Sequence, residues 1–439
     1  MSTAPARARP GAARPAPAID ATPPVAPNLV PGERQVGRNT IETLLFRGLS
    51  TPIALLLVVI QSRFLAPEGR GTFVLVVLSV TILARLLGQL GLAVTTRARA
   101  GDLELRQLLH RALALAVVLG LLGSGLIVLL GSLNDVIGVE LAFVAALALV
   151  PNIVWQTVSG VLLGQARVRL WNYVQLASPV LTLAGMLVLV VALDGSVRAA
   201  VTAWAIAHVL TAAFALVASR DVWLPIGPPP AFDAYGRTIL RLAIVMGAVQ
   251  VVNLLGYRIE LFILELYDGV AAVGIYSIAM QAAEAMWLVP AAIATAITGP
   301  VVHDDEHDAA RLVARSAAKG LLYTAGVAVV VGLAAPFLIP LLFGDDFEPA
   351  WKPLALLLPG IVAYGPVTIL VVYLSVRHGR PNLSLIVAVT AMVVTAALSL
   401  VLIPPYGAEG AAVASAAGYV LGAVLAWVLF RLVARSAQR

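Results

Sequence analysis

Past about residue 39 the chain is a succession of long apolar runs separated by short polar punctuation. Twelve runs can be marked, near residues 41–62, 71–94, 110–131, 139–163, 172–193, 198–218, 238–263, 272–298, 319–343, 353–376, 382–403 and 410–432. Each is about 20 to 27 residues long, and at ~1.5 Å of rise per residue that crosses a ~30 Å hydrocarbon layer with some tilt. Backbone polar groups find no solvent partner in lipid, so each run is predicted to be a helix. Pro290 in the eighth run and Pro359 and Pro366 in the tenth predict kinks, because proline lacks the amide hydrogen and crowds the preceding turn.

The runs fall into two sets of six. Gly71-Thr72-Phe73 opens the second run and Gly274-Ile275-Tyr276 opens the eighth, 203 positions later. Gly195-Ser196-Val197-Arg198-Ala199-Ala200-Val201 precedes the sixth, and Gly407-Ala408-Glu409-Gly410-Ala411-Ala412-Val413 precedes the twelfth, 212 positions later. Both offsets are close to half the chain, so each half reads as one copy of a six-segment membrane unit. The expected architecture is an all-α polytopic membrane protein with about twelve transmembrane helices in two lobes. Residues 39–220 form the N-terminal lobe, 221–237 a cytoplasmic linker, 238–433 the C-terminal lobe and 434–439 a short cytoplasmic tail. Residues 1–38, rich in Pro, Ala and Arg, hold no apolar stretch long enough to pack a core and are expected to be a disordered cytoplasmic tail.

Composition agrees with lipid as the medium. Hydrophobic residues make up 60% of the chain and charged residues 12%, with a mean hydropathy of +0.96, where an ordinary globular domain carries about 25% charged residues. A net charge of +6 raises the question of nucleic acid, but the basic residues lie in short clusters between apolar runs rather than on one face, so no nucleic-acid partner is expected. Topology accounts for the charge instead. With the N-terminal tail in the cytoplasm, roughly 22 of the 29 basic residues fall on that side, about four on the other and three within spans, as the positive-inside rule requires. Both termini are then cytoplasmic and the chain resides in the cell membrane.

Chemistry is sparse. With no cysteine, disulfides and thiolate metal sites are excluded. The run His303-Asp304-Asp305-Glu306-His307-Asp308 has a spacing that could hold a divalent cation, but a solvated loop is the favoured reading, so neither metal nor cofactor is expected. No outside loop exceeds about ten residues, and there is no phosphate-binding glycine loop, dinucleotide fingerprint, HExxH or GxSxG. Enzymatic readings fall away, and transport by conformational change remains.

Arg63-Phe64-Leu65-Ala66-Pro67-Glu68-Gly69-Arg70-Gly71, after the first span, resembles the R-x-L-G-P-E-x-x-G turn of polysaccharide flippases in the multidrug, oligosaccharidyl-lipid and polysaccharide exporter superfamily. Val273-Gly274-Ile275-Tyr276-Ser277 with Glu284 and Pro290 resembles that family's eighth helix. Leu341-Leu342-Phe343-Gly344, Leu374-Ser375-Val376-Arg377-His378-Gly379-Arg380-Pro381 and the segment from Leu402 to Ala412 resemble its C-terminal region. The similarity runs in order from about residue 38 to 433. It implies a two-lobed exporter that moves polyprenyl-diphosphate-linked sugars between leaflets for surface polysaccharide synthesis, with a cationic cavity lined by helices 1, 2, 7 and 8. Expected partners are that lipid-linked glycan, membrane lipids, and glycosyltransferases and polymerase of the same pathway.

Polar residues inside the spans are the candidate site. Thr81, Arg85 and Gln89 share one helical face, with Arg85 near mid-span; a buried arginine offers planar bidentate recognition of a diphosphate, or it serves structurally by tying helix carbonyls. Arg47 sits within two turns of the cytoplasmic end, where snorkelling, pairing with Glu42 and substrate contact stand open. Gln250, Asn253, Tyr257 and Glu260 form a stripe on the seventh span, flanked by Arg258. Arg258-Ile259-Glu260 reverses the acidic-then-basic order of the family, so a gating or coupling role for Arg258 and Glu260 stands open beside the favoured reading, in which both charges lie at the outer headgroup level. Glu284, at the centre of the eighth span, is either a gating and coupling group or a structural partner. The working expectation has Arg85, with Arg47, on the diphosphate and Glu284 competing for Arg85 when the cleft is empty. Trp155, Tyr173, Trp204 and Trp287 are candidate sugar-stacking aromatics, with filling of core gaps or anchoring at interfaces the favoured reading for most of them. Two other functions stand beside export of a glycan lipid: a drug antiporter of the same superfamily, which typically carries an acidic site in its first helix, and a scaffold for glycan synthases.

Overall fold

The computed structural model describes residues 33–99, 104–134, 137–225, 227, 232–303 and 305–437, except for the side chains of 33–41, 44, 45 and 47. The tail up to residue 32 and the Arg47 side chain thus lie outside the described residues, and residues 33–38, the last six of the expected tail, are helical. No strand occurs among the described residues.

Among the described residues twelve long helices follow one another as the apolar runs predict: α1 (33–65), α2 (67–99), α3 (Leu105–Ser132), α4 (Gly138–Gly164), α5 (Val168–Ala192), α6 (Val197–Ala218), α7 (234–268), α8 (269–303), α9 (Glu306–Phe343), α10 (Asp345–Arg377), α11 (381–406) and α12 (408–437). Three neighbouring pairs run on as continuous rods that turn at single residues, Ala66 (φ 53°), Gly269 (φ 82°) and Gly407 (φ 52°). The kink predicted from Pro290 appears at Met286-Trp287, where α8 breaks, and that from Pro366 at Gly365-Pro366 in α10; Pro359 is carried without a break. Helices α2, α4 and α7 also break, at 88–89, 147–148 and 256–258.

The duplication is written in the backbone. Every described residue with positive φ has a counterpart at the matching turn of the other half: Ala66 and Gly269, Gly138 and Gly344, Ala166 and Gly379, Asp194 and Gly407. These pairs are 203, 206, 213 and 213 positions apart, so the last pairing is shifted one residue from the one the sequence suggests. A left-handed conformation costs a residue with a Cβ about 1–2 kcal/mol, and the C-terminal copy avoids that cost with glycine at all four turns.

Each lobe has its own core, centred on residues such as Leu90, Leu149 and Met186 in the first and Tyr276, Phe347 and Tyr373 in the second. The lobes also trade helix halves. Leu75 and Leu78 of α2 join the C-terminal core, while Ile239 and Ala243 of α7 join the N-terminal core. Outward faces carry large exposed apolar side chains, among them Leu121, Leu122, Leu333 and Phe337, the belt a bilayer solvates.

At the end of the bundle that holds the α1–α2 and α7–α8 turns, the lobes meet backbone to backbone. A Cβ on Gly71 would lie 2.0 Å from the Val270 carbonyl oxygen, and one on Gly274 would lie 2.0 Å from the Pro67 carbonyl oxygen. Both pairs obey the 203-residue offset, so the seam is pseudo-twofold. Arg63 Nε adds a hydrogen bond to the Leu342 carbonyl at 3.0 Å, and its Nη2 donates to Leu341. Toward the end that holds the termini, the second half of α8 (Leu288–His303) packs on α9 and α10 of its own lobe, and Leu288 is half exposed.

Candidate functional site

Glycines on α2, α4 and α7 shape the site by letting these helices approach one another closely around the middle of α2. A Cβ on Gly91 would lie 1.9 Å from the Thr157 carbonyl oxygen of α4, and one on Gly160 would lie 2.9 Å from the Leu92 nitrogen. On α7, Gly247 comes so near α2 that its Cβ would lie 1.9 Å from the Leu86 carbonyl oxygen. The α2 break at Gly88-Gln89 sits between these contacts. What remains open between the helices is a cavity of ≈ 450 Å³ inside the N-terminal lobe, reaching from the middle of the bundle toward the terminal end.

Thr81, Arg85 and Gln89 of α2 all line it, and Gln250 of α7 closes it from the other lobe. Arg85 is exposed to the cavity, and among the described residues no hydrogen-bond or ion-pair partner reaches it. The opposite wall supplies amides: Gln156 Nε2 donates to Asn152 Oδ1 at 2.6 Å, and Gln175 joins from α5. Indoles of Trp155, Trp171 and Trp204 complete the wall with His208, which is 6% exposed and donates through Nδ1 to the Trp204 carbonyl at 2.9 Å. Among the described residues no carboxylate lines the cavity. A guanidinium among amides and indoles suits an anion that carries hydroxyls and apolar ring faces. A shallower hollow of ≈ 270 Å³ between α1 and α5, bounded by Phe46, Ser50 and Leu176, shares Trp171 and Gln175 with it.

Other expected residues gather elsewhere. Asn253 is half-buried on α7 but does not line the cavity. Glu284 is bound by Arg258 rather than Arg85, through a bidentate pair at 2.5 and 2.8 Å; Arg258 also donates to the Tyr257 carbonyl at 2.8 Å. The expected competition of Glu284 for Arg85 therefore has a different arginine in it. Arg258 is not at the outer headgroup level either. Helix α7 continues to Asp268, beyond its apolar run, which leaves Arg258 ten residues, or ~15 Å of helix, below the turn. Glu260 is 0% exposed, receives the Tyr276 hydroxyl at 3.4 Å, and keeps Oε2 unpartnered. Around this pair Tyr257, Trp287, Tyr364 and Tyr419 form one aromatic cluster, with ring centroids 5.3 to 6.2 Å apart. The breaks of α7, α8 and α10 all occur beside it. Trp287 is thus a core residue of the C-terminal lobe, and Tyr173 packs edge-on against Phe46 at 5.1 Å.

In the acidic run, Asp304 lies outside the described residues, and Glu306 is not solvated as expected. It starts α9 and ties it to the end of α10, accepting from Arg377 Nε at 2.8 Å and facing His378 Nε2 at 3.2 Å.

A family model described as polysaccharide biosynthesis protein matches residues 36–304, more than half of the chain. The protein belongs to this family. No curated protein matches its sequence. Among solved structures, the polysaccharide biosynthesis protein is similar to the lipid II flippase MurJ in an inward closed conformation, with a TM-score of 0.72, 13% identity, and coverage of 89% of this chain and 87% of that one. It is similar to an inward-facing multidrug resistance MATE family transporter of the MOP superfamily, at 0.69, 15%, 91% and 99%. A MOP superfamily transporter from Pyrococcus furiosus gives 0.61, 17%, 92% and 96%. Identities this low speak for the fold, which is the one the resemblance implied.

Trp171, Gln175 and His208 are cavity residues that the sequence reading passed over. Their signal was present: Trp171 with Gln175 and Trp204 with His208 are i, i+4 pairs, each placing an aromatic and a polar group on one face of an otherwise apolar helix.

Proposed function

We propose that this polysaccharide biosynthesis protein is a flippase that carries a polyprenyl-diphosphate-linked oligosaccharide from the cytoplasmic to the outer leaflet by alternating access. The observation that carries the reading is Arg85, a guanidinium in a mid-bundle cavity that meets neither a partner nor a carboxylate among the described residues. A charge at that depth costs at least ~2.5 kcal/mol on insertion scales, and a diphosphate is the ligand that repays it bidentately. The amides answer sugar hydroxyls and the indoles sugar faces. The hollow between α1 and α5 gives a path along which a prenyl tail stays in lipid while its headgroup enters. The cluster of basic residues at the terminal end supports a cytoplasmic assignment for that end, and the glycine seam at the other end together with the exposed Arg85 supports an inward-facing form.

A drug antiporter shares the fold, but export of a cationic drug calls for an acidic cavity. A scaffold for glycan synthases, itself a partner on the flippase reading, has no use for an exposed mid-bundle arginine. Glycan export measured with Arg85→Ala and Arg85→Lys tests the proposal. Loss with alanine and partial activity with lysine are expected, since lysine keeps charge but not bidentate geometry. Full export with Arg85→Ala refutes it.

A further inference from the structure

Arg70, in the turn segment that resembles the flippase motif, is among the largest fully buried side chains of the described residues, at 0% exposed. Its guanidinium is divided between the lobes. Nη1 donates to Gln61 Oε1 at 3.0 Å and to the Val58 carbonyl at 3.4 Å, both on α1 of its own lobe. Nε donates across the seam to Ser277 Oγ of α8 at 2.9 Å. Nη2 is buried with no acceptor, and no ion pair reaches Arg70 among the described residues. The Nε and Nη2 hydrogens form the edge with which arginine grips a phosphate bidentately. That edge faces the other lobe and is held by one neutral hydroxyl.

Ser277 belongs to α8, so it leaves Arg70 when the lobes part at this end, and the Nε–Nη2 edge then opens into the cleft. We propose that Arg70 is a second anion site, hidden in the closed seam, that takes the diphosphate headgroup on the side of the membrane opposite to the Arg85 cavity. This inference rests on the flippase reading. Both arginines are on α2, fifteen residues and so ~22 Å of helix apart, and the present conformation opens one while it buries the other. A diphosphate bound only by the opened form stabilises that form by its differential affinity. The uncompensated charge in the closed seam works in the same direction, because a buried ion without a partner disfavours the state that buries it.

The natural chain has no cysteine, so a single reporter suffices. Leu78 of α2 is 6% exposed and packs in the C-terminal core below the seam. In vesicles, Leu78→Cys is alkylated by an impermeant maleimide from the side of the α1–α2 turn, with inorganic pyrophosphate, with farnesyl diphosphate in the bilayer, or with neither. An anion is expected to raise the rate by about 5-fold or more, the lower edge of ordinary allosteric coupling. A response to both anions assigns the site to the diphosphate group itself, and a response to the prenyl form alone assigns it to a lipid headgroup. Arg70→Gln abolishes the response, and Arg70→Lys, which keeps charge and stem, requires a higher half-saturating concentration. No response to either anion overturns the proposal, as does a response that survives Arg70→Gln. If Arg70→Gln fails to fold, an unchanged half-saturating concentration in Arg70→Lys overturns it. Adding Arg85→Ala separates the two readings: a response that persists there is due to Arg70, whatever the export assay says of Arg85.

Discussion

Gly71→Ala is the sharpest test of how the two lobes close. The new Cβ would sit 2.0 Å from the Val270 carbonyl oxygen and 2.9 Å from both its carbonyl carbon and Cγ1. The nearest obstacle is main chain, which cannot rotate away, and an aliphatic carbon rests about 3.3 Å from a carbonyl oxygen even in close strand contacts. The lobes must therefore separate by ~1.3 Å at the seam, an overpacking that costs the closed form about 1–3 kcal/mol. Because the open form has no such contact, the whole penalty enters the equilibrium between the two and multiplies the open population by about 5- to 150-fold. Alkylation of Leu78→Cys from the side of the α1–α2 turn reports that population. Gly274→Ala, the pseudo-twofold mate with its clash at Pro67, should do the same, and the double variant should gain less than the sum because both methyls force one separation. Gly326→Ala in α9, where a Cβ meets nothing within 4 Å, is the control. An alkylation rate in Gly71→Ala within two-fold of the parent, in a protein that still folds, refutes the seam as the closing contact.

Two further outcomes follow from the ion pairs. Glu284→Gln leaves Arg258 as a buried, uncompensated charge and should destabilise the protein by about 3–5 kcal/mol in thermal unfolding, while Glu284→Gln with Arg258→Met should recover most of it, since removing both charges removes the desolvation penalty too; equal losses in single and double variants would contradict the pairing. At the start of α7, hydrogen bonds from Arg111 and the Gly236 amide hold the Asp233 carboxyl down to about 2 from the ordinary 3.8. A depressed carboxylate stabilises the fold above its unfolded value, so this contribution is full above about pH 4 and disappears as the pH falls toward 2. Asp233→Asn should flatten the acid limb of melting temperature against pH without changing the slope between pH 5 and 8, and a changed slope in that range would refute it.

The twelve helices and the two lobes were legible because a bilayer leaves one solution for an apolar run of about 20 residues. The duplication was legible from a few glycines because those glycines are where the backbone needs left-handed turns or close approach. Arg85, Gln89 and Gln250 were found because a polar group is rare in such spans. The pairing of Glu284 was not legible: it depends on how far α7 runs past its last apolar residue, and the Asp268 end of that helix is polar. The exchange of helix halves between lobes is invisible in any single helix, since the packing residues, such as Leu75 and Leu78 of α2 and Ile239 and Ala243 of α7, are apolar whichever core they join. Trp171 and His208 escaped for the opposite reason to Arg85. Each looks like ordinary packing until five helices are seen to share one hollow.

The glycine seam also has an electrical meaning. A membrane at 100 mV drives each elementary charge with ~2.3 kcal/mol, and a carrier large enough for a glycan headgroup would short that voltage if its closed end admitted hydrated ions. Main chain against main chain at Gly71 and Gly274 leaves no radius for a water-clad ion. On the flippase reading, the two missing side chains bring the lobes together at the end that must hold the membrane voltage.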